Sequence, residues 1–142
     1  MGLRRTAVEK HGLYRTDLNR VNDLLGGEDT EYCRRLMQAG EKLMYLPRAI
    51  VYHPVEEYRT KRSYLQSMAF NYGRWMVRID GVPPGVRCYF GIPKYLLSIA
   101  AKFLAKWLAA LGAKRRAFYR FEFFETLGRI AESKEWLRKR RA

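Results

Sequence analysis

The stretch Gly26-Gly27-Glu28-Asp29-Thr30-Glu31-Tyr32-Cys33-Arg34-Arg35-Leu36 reads as a glycine turn that delivers two adjacent carboxylates to the start of a helix. Asp29 is a favoured N-cap residue. Thr30 and Glu31 suit the first turn, where an acidic side chain meets the positive end of the helix dipole. Tyr32, Cys33, Leu36 and Met37 recur at helical spacing, and Gly40 stands where a helix closes in the left-handed conformation. The spacing therefore predicts that Glu28 and Asp29 sit at a helix mouth, held by backbone. A carboxylate held there can take a proton from a substrate hydroxyl, which is the work of a general base. The competing reading is that Asp29 does no more than cap the helix.

Outward from this stretch, Glu41 to Tyr45 reads as a short strand. Leu46-Pro47-Arg48 reads as a turn, and Ala49-Ile50-Val51-Tyr52-His53 as a second apolar strand ending in histidine. On the N-terminal side, Thr6 and Glu9 have the spacing of a capping box for a short helix running to about Lys10, and His11-Gly12 ends it. His11 is favourable at a helix C-terminus when charged. Residues 15 to 25 read as a polar loop leading to the acidic turn.

The order of these pieces, in Gly26 to Val55, resembles the family 2 glycosyltransferases of the GT-A fold. Those enzymes carry an acidic pair opening a helix that ends in Arg-Leu, then a glycine, a strand, a Tyr-x-Pro-x-Ala turn and a strand ending in histidine. The resemblance covers roughly residues 1 to 75. It implies an α/β fragment, the C-terminal part of a GT-A fold with few short strands, followed by a mainly α-helical amphipathic tail. On this reading residues 1 to 80 are the acceptor side of the catalytic domain, 81 to 86 a Pro/Gly linker, and 87 to 142 a basic helical region at a membrane interface.

The resemblance also implies roles. Asp29 would be the catalytic base and Glu28 its support. His53 would be a ligand to the divalent metal, Mn²⁺ or Mg²⁺, of a nucleotide-sugar. Arg4 or Arg5, and Arg59 after the histidine, would face the diphosphate. Tyr72 or Trp75 would stack on an acceptor sugar. The family's donor half ends in an Asp-x-Asp, and neither that motif nor a Gly-rich phosphate loop occurs here. The resemblance thus implies a fragment whose metal and donor sites need a donor-binding half, from a longer product or a separate chain.

Charge and composition narrow the partners. The 142 residues hold 28 Lys and Arg against 14 Asp and Glu, a net charge of +14, which points to a phosphate-rich partner. A hydrophobic share of 48% with 14% aromatics excludes a disordered chain. Cys33 and Cys88 lie far apart with no CxxC context, which excludes a disulfide scaffold or zinc site and fits a reducing compartment. The first residues lack the apolar run of a signal peptide, and Met1 to Thr6 match only the loose myristoylation pattern.

In the second half, Tyr64, Leu65, Met68, Ala69, Tyr72, Trp75, Met76 and Ile79 mark one face of a helix. Its other face carries Lys61, Arg62, Gln66, Arg74 and Arg78, and Asp80 to Gly85 is a helix stop. Tyr95 to Leu111 is shorter than the ~20 apolar residues of a spanning helix and is interrupted by Lys102 and Lys106. Lys94, Ser98, Lys102 and Lys106 form a polar stripe, as in a helix lying in the membrane interface. Ala117 to Leu137 reads as a further amphipathic helix, and the basic cluster Arg138 to Arg141 follows it.

The expected function is transfer of a sugar from a nucleotide-sugar to a polysaccharide, lipopolysaccharide or glycolipid acceptor, peripherally at the cytoplasmic face of an anionic membrane. The alternative is a non-catalytic membrane-interface protein derived from such an enzyme. A nucleic-acid module is the weakest reading, because no RNP-like, zinc or helix-turn-helix pattern accompanies the charge.

Overall fold

The computed structural model describes residues 2–18 and 26–140. Within the expected polar loop, residues 19–25 lie outside the described residues, as does Arg141 of the terminal basic cluster. The chain forms two compact units, Met1–Val55 and Glu56–Ala142.

In the first unit, α1 spans Arg5–His11 and α2 spans Glu28–Gln38. The capping box does not form. Arg4 is the N-cap and makes no side-chain cap, Thr6 falls inside the helix, and Glu9 instead pairs with Arg5 at 2.8 Å. That i,i+4 ion pair replaces the reciprocal cap as local support. Gly12, at φ +75°, stops the helix. At the end of α2 the expected glycine closure is present. Gly40 adopts φ +82°, its N–H bonds to Met37 O at 3.0 Å, and Glu41 N–H bonds to Leu36 O at 3.0 Å. This is the paired 5→2 and 6→1 pattern of a Schellman end.

Among the described residues of this unit, Leu18, Tyr32 and Leu36 are the buried apolar ones. Arg35 ties α2 to the loop after α1, donating to His11 O and to Leu13 O, the latter at 2.8 Å. Tyr32 donates its hydroxyl to Gly12 O at 3.1 Å. The His11 ring nitrogen lies 2.8 Å from Glu41 Oε1, and Lys10 Nζ lies 3.1 Å from the same oxygen. These donors, His11 first, hold the Glu41 carboxyl below its ordinary 4.5. A folded-state value below the unfolded one gives a stabilising contribution that is complete above about pH 4.5. It is lost as pH falls through the lowered value. Thermal midpoints across a pH series are therefore expected to favour the wild type over Glu41→Gln near neutrality and to converge in acid.

The two strands expected between Glu41 and His53 are not formed. The turn at Pro47-Arg48 is present, with Ala49 N–H on Leu46 O at 3.0 Å, but the flanking residues are irregular and solvent-exposed, Tyr45 by 87% and Tyr52 by 91%. A strand exists by pairing its N–H and C=O groups with a neighbour. No described residue of this unit offers one.

The second unit is helical. Helix α3 spans Arg62–Asp80, a hairpin of β1 (Cys88–Tyr89) and β2 (Ile92–Pro93) follows, then α4 (Lys94–Ala109) and α5 (Ala113–Lys139). The hairpin, antiparallel with Tyr89 opposite Ile92, is the one sheet among the described residues. The protein is thus mostly helical, and its strands lie in the half expected to be helical.

α5 is the central helix, packed by α3 on one side and α4 on another. Trp107 of α4 lies 5.8 Å from Phe123 and 6.2 Å from Phe124, while Tyr72 of α3 lies 6.4 Å from Phe121. With partners on two sides, α5 does not confine its apolar residues to the single stripe expected of an amphipathic helix. In α3 the buried line is Ala69, Gly73 and Val77 together with Trp75, whereas Leu65 and Tyr72 of the expected apolar face remain exposed. The line is small because α3 and α5 cross at their backbones. A Cβ on Gly73 would stand 1.9 Å from Glu125 O, and one on Gly128 would stand 1.9 Å from Phe70 O.

Two arginines expected on the solvated face of α3 also hold this crossing. Arg74 Nε donates to Glu132 Oε2 at 3.0 Å and Arg78 Nε to Oε1 at 2.7 Å, with Glu132 buried on α5. Glu132→Gln keeps the volume and removes the charge. It is expected to cost about 2 kcal/mol in urea denaturation, because two largely desolvated guanidiniums lose their anion. Among the described residues no helix is long and apolar enough to cross a membrane.

Candidate functional site

Gly26 and Gly27, at φ +83° and +106°, make a left-handed turn that side-chain-bearing residues rarely adopt. Gly27 is the N-cap of α2, so the helix starts at Glu28 and Asp29 is its second residue. Asp29 therefore does not cap, which corrects the sequence expectation. Its Oδ1 accepts only the adjacent Thr30 N–H, at 2.7 Å, and a longer contact from the Thr30 hydroxyl at 3.4 Å. The residue is exposed at the N-terminal end of the helix.

Glu28 folds back toward the glycine turn. Its Oε2 lies 4.0 Å from the point a Cβ on Gly26 would occupy, and this oxygen is buried without a hydrogen-bond partner among the described residues. An orphaned buried acceptor costs about 1–3 kcal/mol, so the position favours a donor brought by a ligand or water.

Tyr14 completes the group. The ties from Arg35 and Tyr32 hold Gly12-Leu13-Tyr14 against α2, and the Tyr14 ring lies 4.7 Å from the Tyr32 ring. Partial burial raises the Tyr14 pKa above its ordinary 10.0, and Cys33, Tyr32, Asp29 and Glu28 add to the shift. Tyr14 therefore keeps its proton at neutral pH, and its hydroxyl is a donor on the loop held against α2. Sequence reading assigned Tyr14 no role.

Of the other expected site residues, Arg4, Arg5 and His53 belong to the same unit as this pair. Arg4 and Arg5 are exposed at the start of α1, Arg5 paired with Glu9. His53 is exposed in the irregular segment. Among the described residues no three of His, Cys, Asp and Glu come together as a metal site. A lone imidazole is too small a donor set for Mn²⁺ or Mg²⁺, so the described residues do not by themselves fit the metal.

Arg59, Tyr72 and Trp75 belong to the second unit. Arg59 lies 3.3 Å from the Tyr58 hydroxyl and 3.8 Å from Glu56, and the Tyr58 contact raises its pKa. Trp75 is 7% exposed and packs edge-on against Tyr72 at 4.8 Å, so its ring has little surface to offer a sugar. Tyr72 keeps an exposed face.

The second unit holds a different constellation. A surface cavity of about 710 Å³ is lined by the arginines 62, 116 and 120, by Trp107, and by Leu108 and Leu111. Gly112 and Ala113, at the start of α5, complete its wall. Among the described residues no acidic one lines it. The sequence signal was available: Arg116 and Arg120 are four apart on one helix, a like-charge spacing that destabilises unless an anion answers it. No protein family matches the chain, and no curated protein or solved structure matches it.

Proposed function

We propose that the chain carries the acceptor-side, catalytic-base part of an inverting glycosyltransferase of the family 2 type, peripheral at the cytoplasmic face of a membrane. The observation that carries this reading is the Glu28–Asp29 pair at the glycine-led head of α2, with one carboxylate exposed and one oxygen of the other buried without a partner among the described residues. The order of motif elements from Gly26 to His53 supports the same reading.

In this mechanism Asp29 accepts the proton of an acceptor hydroxyl as that oxygen attacks the anomeric carbon of a nucleotide-sugar. The bond from that carbon to the diphosphate breaks on the opposite side, and the diphosphate leaves with the electron pair. Glu28 Oε2 receives a second hydroxyl of the acceptor and fixes its orientation. Tyr14 donates to an acceptor oxygen. His53 would supply one metal ligand, as the resemblance implies, the other ligands and the rest of the donor site would come from outside the described residues, and no step here passes through a metal. Cells in which the full chain is the sole copy test the proposal. Asp29→Asn is expected to abolish assembly of the dependent glycan with normal levels of the chain, and intact assembly would refute it.

One observation favours the non-catalytic alternative, a membrane-interface protein. Leu97, Leu104 and Leu108 of α4 are exposed and flanked by exposed Lys94, Lys102 and Lys106. Under that alternative Asp29→Asn leaves cellular function unchanged.

A further inference from the structure

Three sectors divide α4 by the helical period. Leu96, Ala100, Phe103 and Trp107 turn inward, Leu97, Leu104 and Leu108 form an exposed apolar stripe, and Lys94, Lys102 and Lys106 form an exposed cationic one. The apolar stripe runs to the corner between α4 and α5, where Leu108 is 73% and Leu111 85% exposed. That corner is the mouth of the arginine-lined cavity.

The cavity is electrostatically unfinished. Arg62, Arg116 and Arg120 have no carboxylate partner among the described residues. Burial, with the Arg62 guanidinium next, lowers the Arg120 pKa from its ordinary value. The first turn of α5 carries no acidic residue, and Gly112 supplies no side-chain cap. Lys114, Arg115 and Arg116 instead place three cations at the positive end of the dipole, where each is unfavourable. An anion in the cavity would relieve the like-charge crowding and the dipole together. Guanidiniums suit phosphate oxygens, which they hold through paired N–H groups.

We infer that the cavity between the end of α4 and the start of α5 seats the phosphate of an anionic phospholipid, with Leu108 and Leu111 entering the acyl region beside it. A phosphate alone would need the arginines and not the leucines at the mouth, and a nucleic acid would leave the apolar stripe of α4 uncovered. This inference rests on the peripheral-membrane part of the function proposed above and is independent of sugar transfer.

The test is binding of the full chain to vesicles of phosphatidylcholine, alone and mixed with phosphatidylglycerol, read by co-sedimentation and tryptophan emission. Removing any two surface cations weakens binding to anionic lipid by roughly 30-fold. The control pair Lys114→Gln with Arg115→Gln, outside the cavity lining, is expected to lose about that much. Arg116→Gln with Arg120→Gln is expected to lose about tenfold more than the control. Arg116→Lys with Arg120→Lys keeps the charge and the fold but loses the paired N–H geometry, and is expected to weaken binding about fivefold.

Equal losses for the cavity and control pairs, with no loss in the lysine pair, would overturn the seat while leaving diffuse membrane attraction standing. No binding of the wild type to anionic vesicles would overturn the membrane reading itself. Two further arms identify the ligand's source. Saturable binding of inorganic phosphate without vesicle binding would assign the cavity to a soluble anion and refute the lipid. Loss of single-stranded oligonucleotide binding in the cavity pair, with vesicle binding at the control's level, would assign it to nucleic acid and refute it equally.

Discussion

Gly128→Ala is expected to destabilise the helical unit by about 3 kcal/mol, and Gly73→Ala by a similar amount. Two effects oppose each other. Alanine in a helix interior gains about 1 kcal/mol over glycine in propensity. The added methyl would stand 1.9 Å from a backbone carbonyl oxygen, Phe70 O for Gly128 and Glu125 O for Gly73. Ordinary van der Waals contact begins nearly twice as far away, and the obstacle is main chain, which cannot rotate aside as a side chain can. The helices must separate along their whole crossing, which weakens the contacts of Ala69, Trp75 and Val77 and stretches the Arg74–Glu132–Arg78 link. Overpacking of this kind outweighs the propensity gain. Urea denaturation followed by circular dichroism measures it. A neutral or stabilising Gly128→Ala would show that the crossing is wider than described.

Asp29→Asn is expected to lower sugar transfer by about 10²–10⁴-fold, the usual contribution of a positioned general base. The same substitution should hardly touch stability. Asp29 is exposed, makes no cap, and its one short hydrogen bond is to the N–H of the next residue, an acceptor role that the asparagine oxygen can keep. The two readouts therefore separate catalysis from folding. Glu28→Gln is expected to lose less activity, because the amide retains an oxygen for the acceptor hydroxyl, and to raise the acceptor's KM more than it lowers kcat.

Sequence reading succeeded where the signal was local. Gly40 marks the end of α2 because a left-handed residue is needed there, and Gly81, at φ +72°, ends α3 for the same reason. The acidic head of α2 was legible to within two residues, the cap standing at Gly27 and not at Asp29. The helix starts one step earlier than Asp29 because Gly27 already supplies the turn.

Sequence reading failed where structure depends on a distant partner. Leu43 to His53 has the apolar, β-branched look of strand, but strand formation needs a sheet, and the described residues provide none there. The aromatic stripe of α3 looked like its buried face. The close approach to α5 buries instead the line through Gly73, and an interior glycine on each of α3 and α5 was the available clue. Arg74 and Arg78 read as solvated charges because Glu132 lies far away in sequence. Of the arginine cavity only the Arg116–Arg120 spacing was legible, since Arg62 joins that pair only once α3 and α5 are packed.

The central claim is that Asp29 takes the proton in a glycosyl transfer. It is tested most directly by transfer of labelled sugar from nucleotide-sugars to endogenous acceptors, in membranes from cells whose sole copy of the full chain is wild type or Asp29→Asn. The account predicts donor-dependent transfer in the wild type and its near-complete loss in the variant, with equal amounts of folded chain. Equal transfer in both membranes would contradict it.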